Sequence, residues 1–393
     1  MAQGYDTIII GLGAMGSAAA YQLARRGQRV LGLERYTPGH THGSSHGRSR
    51  IIRQAYFEGA AYVPLLLRAY ELWRELERES GEDIMRLTGG LMIGQPAHIT
   101  VAGALVSAQQ HGLPYELLDA AALRRRYPML QPDASTVALY EQNAGVLRPE
   151  AAIQAYLRLA AARGAELRFE QPALSWRADA RGVQVTTGRG NYEAAQLIIA
   201  PGAWAPQLLA ELALPLVVER QVLYWFAPKG GYAAYQPDRF PIFIWEIEDH
   251  MQFYGFPAEQ HAPFGVKTAF FRNGEACTAE TCDRVVRPDE VAGIRAAIDR
   301  LIPDLGGELI AAQTCLYTTT PDEHFILAKH PHHANVTVAS PCSGHGFKFA
   351  SAIGEVLADL ASEGATKQPI GLFDPRRFGT FTAENAESAD SYN

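Results

Sequence analysis

The pattern that most restricts the fold of this chain lies in its first 34 residues. The apolar run Ile8 to Ile10 stops at a glycine, as a buried parallel strand would. A G-x-G-x-x-G motif follows at Gly11, Gly13 and Gly16. Residues 18–26 predict a helix, and residues 30–33 predict a second strand that ends at Glu34. This complete βαβ unit indicates a dinucleotide site, although a glycine-rich turn alone is often only a turn.

Each part of the motif has a physical role at such a site. Gly11 allows the tight turn, Gly13 the approach of a pyrophosphate to the backbone, and Gly16 close packing of helix on strand. Unpaired N–H groups at the start of the helix would bind the phosphates. Glu34 is placed to accept a hydrogen bond from a ribose 2′-OH, which favours an adenosine without a 2′-phosphate. The motif does not distinguish FAD from NAD.

Composition argues against several classes of protein. The 393 residues, 47% of them hydrophobic, suffice for two cores. The net charge of −7 argues against a nucleic-acid partner, and no apolar run reaches the length of a membrane span. The chain leads directly into its first strand, without room for a cleavable signal. The four cysteines lack zinc-site spacing, so we expect no metal and a cytoplasmic protein with reduced thiols.

The second half of the chain changes character. Aromatic-rich segments separated by Pro and Gly predict an antiparallel sheet from residues 217–226, 242–247, 251–256 and 264–271. A later strand at 336–339 runs into a second glycine turn and a helix. The sequence therefore predicts an α/β protein that combines a Rossmann-like βαβ domain with a second, antiparallel-sheet domain.

Four cationic residues stand where an anion could bind. Arg50 and Arg53 are three apart and would be neighbours on a helix, where they could grip a carboxylate or simply be solvated. Lys267 lies inside a predicted strand, although most strand lysines extend to solvent from a sheet edge. Lys348 is in the first turn of a helix, where its charge is unfavourable unless an anion binds there. A solvent-facing lysine is the alternative.

Five motifs together point to one family. They are GLGAMG at 11–16, GSSHGRSRIIRQAYFEG at 43–59, YGFP at 254–257, CLYTTTPDEHFI at 315–326 and SGHGFKFAS at 343–351. The set resembles the monomeric sarcosine oxidase and N-methyltryptophan oxidase family, amine-oxidising flavoproteins of the D-amino-acid-oxidase fold group, and the resemblance covers about residues 5–378. The last three motifs do not belong to generic Rossmann enzymes. The resemblance implies FAD as the cofactor and a monomer.

The same resemblance implies two domains and a tail. The FAD-binding domain would be discontinuous and comprise residues 1–90, 145–215 and 320–380. The substrate domain would comprise residues 91–144 and 216–319. Residues 381–393 are polar and acidic and are predicted to be disordered.

The resemblance assigns catalytic roles around the flavin. Cys315 matches a cysteine that bonds through sulfur to the flavin 8α-methyl group, whereas a buried strand cysteine is otherwise usually inert. Lys267 matches a lysine near flavin N5 that activates O2, because a fixed cation stabilises the superoxide formed by electron transfer. His46 and Arg50 match residues beside the isoalloxazine, and Tyr317 completes the predicted catalytic group.

The remaining cofactor contacts are expected at the glycine turns. The predicted FAD-binding residues besides Cys315 are Gly11, Gly13, Ala14, Met15, Gly16, Glu34, Arg35, Ser44, Ser45, Gly202, Gly344, His345, Gly346, Phe347 and Lys348. The helix that begins at Gly346 would direct its positive end at the flavin pyrimidine edge and stabilise charge on the reduced ring.

The family also implies a substrate site. Arg53 and Lys348 match the pair that holds the substrate carboxylate, and Tyr254 and Tyr317 match aromatic residues that line the site. The implied reaction is oxidation of the N–CH bond of a secondary amino acid, N-methyl or cyclic, bound as the free amine. The imine would hydrolyse in water, and O2 would be reduced to hydrogen peroxide.

This chain departs from the family at the substrate site. Phe271 stands where sarcosine-type enzymes carry a histidine, and Ser45 stands where relatives often have a second one. Phe243 and Trp245 lie in the strand expected to border the substrate. We therefore predict Trp245 and Phe271 as substrate-binding residues of a more apolar pocket, for a substrate larger than sarcosine.

Three alternatives remain open. A dehydrogenase that passes electrons to a carrier instead of O2 is one, and Lys267 argues against it. An NAD-dependent dehydrogenase is another, and the strand ending near Gly202 argues against it. A non-catalytic flavin protein would leave the convergence of Arg53 and Lys348 unexplained.

Overall fold

The computed structural model describes residues 4–248, 251–259 and 265–379. The tail predicted at 381–393 lies outside these residues, as does Phe264 at the start of one predicted strand. The strands within the described ranges are β1 (Tyr5–Ile10), β2 (Val30–Leu33), β3 (Arg50–Ile52), β4 (Met85–Leu87), β5 (Gly90–Gly94), β6 (Glu116–Asp119), β7 (Val137–Glu141), β8 (Gly145–Leu147), β9 (Glu166–Arg168), β10 (Ala173–Asp179), β11 (Gly182–Thr187), β12 (Gly190–Ile199), β13 (Val217–Phe226), β14 (Ile242–Glu248), β15 (Met251–Ala258), β16 (Val266–Phe271), β17 (Glu275–Cys277), β18 (Leu309–Thr319), β19 (Ile326–Lys329) and β20 (Val336–Ser340). The α-helices are α1 (Ala14–Arg25), α2 (Val63–Ser80), α3 (Ile99–Gln110), α4 (Ala120–Arg126), α5 (Pro149–Ala162), α6 (Ala205–Leu208), α7 (Pro288–Leu301) and α8 (Ala350–Glu363).

The first sheet is built around β1. Its strand order is β10-β11-β12-β1-β2-β9, and β20 and β19 extend it beside β12. Ile8 to Ile10 are at most 4% exposed, which confirms the predicted buried strand. The strands β1, β2, β9, β12 and β20 run parallel. Their carboxyl ends therefore meet at one edge of the sheet, where ligands bind in folds of this type.

The second sheet has nine strands, in the order β17-β13-β16-β15-β14-β5-β7-β6 with β18 paired to β13. The four strands predicted to form an antiparallel sheet, β13 to β16, do pair antiparallel. The whole sheet is mixed, because β14 and β5 pair in parallel. These two strands come from distant segments, so the chain between them is long enough for the crossover that a parallel pair requires. The side chains of Leu223, Trp225, Ala269 and Cys315 pack together on one face of this sheet.

A third sheet, β3-β8-β4, has no counterpart in the sequence predictions. Arg50 and Arg53 would be neighbours only if this segment were helical, and it is not, because β3 pairs with β8 through the β-branched Ile51 and Ile52. Side chains three apart in an extended segment point to opposite faces. Arg50 and Arg53 therefore reach different partners.

Candidate active site

A cavity of about 460 Å³ begins at the carboxyl ends of the parallel strands and continues to the second sheet. Most of the predicted site residues line it. They are Gly11, Gly13, Ala14, Met15, Glu34, Arg35, Ser44, Ser45, Arg50, Arg53, Gly202, Tyr254, Phe271, Cys315, Tyr317, Gly344, His345, Gly346, Phe347 and Lys348. Gly16, His46, Trp245 and Lys267 are not among the lining residues.

The three glycines of the first motif have distinct surroundings. Gly11 has a φ of +88°, and a Cβ there would lie 2.4 Å from the Ala200 carbonyl oxygen. A Cβ on Gly16 would lie 1.8 Å from the Gly11 oxygen, so this glycine serves helix packing and faces away from the cavity. A Cβ on Gly13 would meet only Ser45 Oγ, at 3.7 Å. Space therefore remains above the start of α1, whose N-terminal N–H groups have no side-chain cap.

Glu34 follows directly after β2 and lines this part of the cavity. Its Oε2 accepts the Leu12 N–H at 2.8 Å, and its Oε1 accepts the Tyr36 N–H at 3.0 Å. Burial alone would raise the pKa of Glu34, but the hydrogen bonds from His40 and Leu12 lower it. The carboxylate is therefore ionised and can accept hydrogen bonds from a ribose. The adjacent Arg35 lies over the Trp204 ring at 5.6 Å.

Cys315 lies at the opposite end of the cavity. Its thiol is buried in β18, with Sγ 3.8 Å from Arg50 Nη2. The Arg50 guanidinium is fixed by the carbonyl oxygens of Ser44, at 2.6 Å, and Ser49, at 2.8 Å. The sulfur thus has a fixed cation beside it and access to the cavity, which an inert packing cysteine would lack.

Lys267 is a buried cation behind this end of the cavity. Its strand, β16, pairs with β13 on one side and β15 on the other, so it is not an edge strand. The alternative that this lysine extends to solvent from a sheet edge is therefore wrong. The Nζ donates to the carbonyl oxygens of Gly47, at 2.7 Å, and Ser49, at 2.8 Å. Burial, with Arg50 next, lowers the pKa of Lys267 to about 7.

His46 lies in the loop whose Gly47 and Ser49 carbonyl oxygens bind Lys267, and it does not line the cavity. Its ring is 1% exposed, and neither ring nitrogen has a hydrogen-bond partner among the described residues. Burial, followed by the charges of Arg50 and Lys267, lowers the pKa of His46 to about 3. The ring is therefore neutral, and it is a buried polar group without a partner beside the cavity.

Arg53 lies in a different part of the cavity from Arg50. Its guanidinium pairs with Glu58 and donates to the Ala55 carbonyl oxygen at 3.0 Å, while its Nε has no partner among the described residues. Burial alone would raise the pKa of Glu58, but Arg53 lowers it to about 2. The sequence predictions missed Glu58, although it lies in the same motif, five residues after Arg53.

Lys348 lies beside this ion pair. Its Nζ donates to the His345 carbonyl oxygen at 2.7 Å and is 5.1 Å from the Tyr56 ring centroid. The side chain is buried, so the solvent-facing alternative is wrong. Burial, with Arg53 next, lowers the pKa of Lys348 to about 7. Two cations and one carboxylate thus share this part of the cavity.

His345 is held as a neutral ring at the same turn. Its Nε2 lies 3.0 Å from the Glu323 carbonyl oxygen, which can only accept, so Nε2 carries the proton. Its Nδ1 therefore accepts the hydrogen bond from the Tyr56 hydroxyl. Burial lowers the pKa of His345 to about 3, consistent with this neutral form.

An aromatic wall completes the cavity between Cys315 and Lys348. Phe271 and Tyr317 meet edge to face with ring centroids 6.0 Å apart, and Tyr254 lines the cavity nearby. The prediction for Trp245 needs correction, because the side chain packs in the core of the second sheet with Phe243. Successive side chains of β14 alternate between faces, so Ile244 reaches the cavity instead.

The residues present suit a flavin dinucleotide. The cavity is continuous from Glu34 to Cys315 and Lys348, so a single extended ligand would reach both ends. The open space above Gly13 and the uncapped start of α1 suit a pyrophosphate. A nicotinamide dinucleotide would need neither the thiol nor the buried cations at the far end.

Comparison with known proteins agrees with this geometry. Residues 6–360 match the family model for FAD dependent oxidoreductases. The chain belongs to this family. Monomeric sarcosine oxidase of Streptomyces avermitilis is 54% identical over 384 residues, which cover 98% of this chain and 100% of that protein. The oxidoreductase therefore belongs to the monomeric sarcosine oxidase branch.

Two further comparisons extend the result. N-methyl-L-tryptophan oxidase of Escherichia coli is 38% identical to this oxidoreductase. The alignment covers 95% of this chain and 99% of that protein. The solved structure of NikD, an unusual amino acid oxidase essential for nikkomycin biosynthesis, has a TM-score of 0.82 at 26% identity. The superposition covers 95% of this chain and 97% of NikD. None of the helices in the described part of the oxidoreductase is long and apolar enough to cross a membrane.

Proposed function

We propose that this oxidoreductase oxidises the N–CH bond of a secondary amino acid and transfers the electrons to O2, which gives an imine and hydrogen peroxide. The observation that supports it best is that Arg53 and Lys348 lie together in one part of the cavity, with an aromatic wall between Lys348 and Cys315. The names of the Streptomyces and Escherichia coli relatives agree with an N-methyl amino acid as substrate. The imine is released and hydrolysed in water.

We propose the following division of labour between the two large sheets. Gly11, Gly13 and Glu34 of the first sheet hold the adenosine and pyrophosphate of FAD. Bound FAD supplies a two-electron acceptor that O2 can reoxidise. Cys315 of the second sheet attaches the cofactor covalently, and Lys267 of the same sheet stabilises negative charge that develops on O2. The domain boundaries given by the sequence remain a prediction.

In the proposal, Arg53 and Lys348 bind the substrate carboxylate and so orient the N–CH bond. Arg53 then exchanges or shares its contact with Glu58. The aromatic wall excludes water from the reacting bond. Glu58 is a poor candidate for a base, since its pKa of about 2 keeps it a weakly basic carboxylate. No protein base is required if the amine binds unprotonated, and we assign none.

Lys348→Met tests the carboxylate site. A charge-assisted hydrogen bond contributes roughly 1.5–3 kcal/mol, so we expect about a 10- to 100-fold rise in KM for an amino acid substrate. The matching amino amide lacks the negative charge and should change far less. Lys329→Met is the matched control, because Lys329 is a strand lysine that pairs with Gln196 in the first sheet. Equal losses for acid and amide would contradict the assignment.

An aerobic screen of N-methyl and cyclic amino acids for peroxide tests the reaction and its substrate size. Phe271, Tyr317 and Ile244 make the wall apolar, so bulky secondary amino acids should have a higher kcat/KM than sarcosine. Phe271→His should shift this preference toward sarcosine by about 10-fold or more. A wild-type enzyme that strongly prefers sarcosine would refute the size argument.

The same screen separates the alternative electron acceptors. A dehydrogenase would reduce an added carrier dye with substrate but form no stoichiometric peroxide. We infer a monomer from the Streptomyces relative, which size-exclusion chromatography can test. A cytoplasmic location and the absence of a nucleic-acid partner remain predictions.

A further inference from the structure

The carboxylate of Glu259 lies across the β15–β16 hairpin from Lys267. Trp225 is directly opposite Lys267 on the neighbouring strand β13. On the other side, Ala258 pairs with Val266, and the Glu259 N–H donates to the Gly265 carbonyl oxygen at 2.9 Å. Glu259 is therefore opposite Gly265, and Lys267 is two residues further along β16 on the same face.

The indole of Trp225 connects the two charged side chains. Its Nε1 donates to Glu259 Oε1 at 2.8 Å, and its ring centroid is 5.6 Å from Lys267 Nζ. Gly265 leaves the room for this arrangement, because a Cβ there would lie 2.9 Å from Trp225 Cβ. The Glu259 side chain is only 12% exposed, so solvent screens its charge weakly.

The charges around Lys267 act in opposite directions. Arg50 opposes its positive charge, whereas Glu259, Cys315 and Glu150 favour it. The neutral His46 also faces this group. Glu259 in turn faces Arg48, with an N–O distance of 3.6 Å. Burial raises the pKa of Glu259, and the Trp225 hydrogen bond and the charge of Lys267 oppose that rise.

We propose that Glu259 is a positioning residue that keeps Lys267 in its cationic form, and that the Trp225 hydrogen bond holds the carboxylate in place for this purpose. The inference deepens the proposed function, because it rests on Lys267 being the cation that faces O2. It also explains a buried carboxylate outside all five sequence motifs. Without this counter-charge, the ammonium would lose its proton at a lower pH than it does with Glu259 in place.

Glu259→Gln removes the charge and keeps an acceptor for Trp225. The readout is the pH midpoint of the Lys267 Cε signal in lysine-labelled holoenzyme, assigned by its disappearance in Lys267→Met. We expect the midpoint to fall by about 1 unit or more in Glu259→Gln. Trp225→Phe should give a smaller fall. Glu248→Gln is the matched control, because Glu248 pairs with Arg300 at the end of β14 and should leave the midpoint unchanged.

The pH dependence of the O2 step is measured on the same variants. A parallel fall of its midpoint in Glu259→Gln supports the proposal together with the role of Lys267. If the Lys267 midpoint falls but the O2 step does not follow, Glu259 retains its role and the assignment of Lys267 to O2 is wrong. An unchanged Lys267 midpoint in a folded Glu259→Gln enzyme, or an equal fall in Glu248→Gln, would overturn the proposal.

Discussion

Replacing Lys267 by Met is expected to slow the reoxidation of the reduced enzyme by O2 by a factor of about 10² to 10³, the range for loss of one preorganised charge at a reacting centre. The side chains are of similar length, so the buried space stays filled. Reduction by substrate under anaerobic conditions should change much less, because the proposed carboxylate site at Arg53 and Lys348 is separate. Stopped-flow measurement of the two half-reactions separates these effects.

The pH dependence of the O2 step is a second test of the role of Lys267. The pKa of Lys267 is lowered from 10.5 to about 7, so the ammonium is present below that pH and is lost above it. Because the cation is the useful form, the O2 step should slow as the pH rises through this value and should be flat in Lys267→Met. Lys329→Met again provides the control. Equal slowing of both half-reactions would remove the assignment of Lys267.

Replacing Cys315 by Ala is expected to abolish covalent attachment of the flavin. After acid precipitation the wild-type pellet should stay yellow, whereas the variant should release all of its flavin to the supernatant. The physical reason is the position of Sγ, which lies at the cavity and 3.8 Å from Arg50 Nη2, where a flavin bound in the cavity would be within its reach.

Cys342 offers a matched control within the same cavity. It also lines the cavity, but burial raises the pKa of its thiol to about 11, so it is a poor nucleophile. Cys342→Ala should therefore retain a yellow pellet. Colour lost from the Cys342→Ala pellet but kept in Cys315→Ala would move the attachment to Cys342. A wild-type protein that releases its flavin would show that there is no covalent bond.

Local patterns sufficed where the physical cause is local. The run at Ile8, the glycines and Glu34 predicted a βαβ unit that the structure contains almost without change, because strand burial and turn geometry depend on neighbouring residues. The strands β4, β6 and β17 were missed, since each has only three or four residues and is largely exposed. Their pairing depends on distant partners.

The candidate site required long-range contacts. Trp245 was expected at the substrate, yet the alternation of β14 brings Ile244 to the cavity, and the register of that strand depends on its partners β5 and β15. Glu58 and Glu259 escaped attention because a carboxylate in a loop is ordinarily solvated. Each carboxylate gains a specific partner only in the folded protein, where Glu58 lies beside Arg53 and Glu259 beside Trp225.

The sequence by itself determined the βαβ unit, the family and most of the residues that we propose to carry the chemistry, because these depend on short motifs with fixed spacing. The tertiary structure alone decided the charge relations among them. It separated Arg50 from Arg53, buried Lys267 in the interior of a sheet and placed Glu259 across its hairpin. Burial and distance set the strength of an electrostatic interaction, and both arise only when segments remote in sequence pack together.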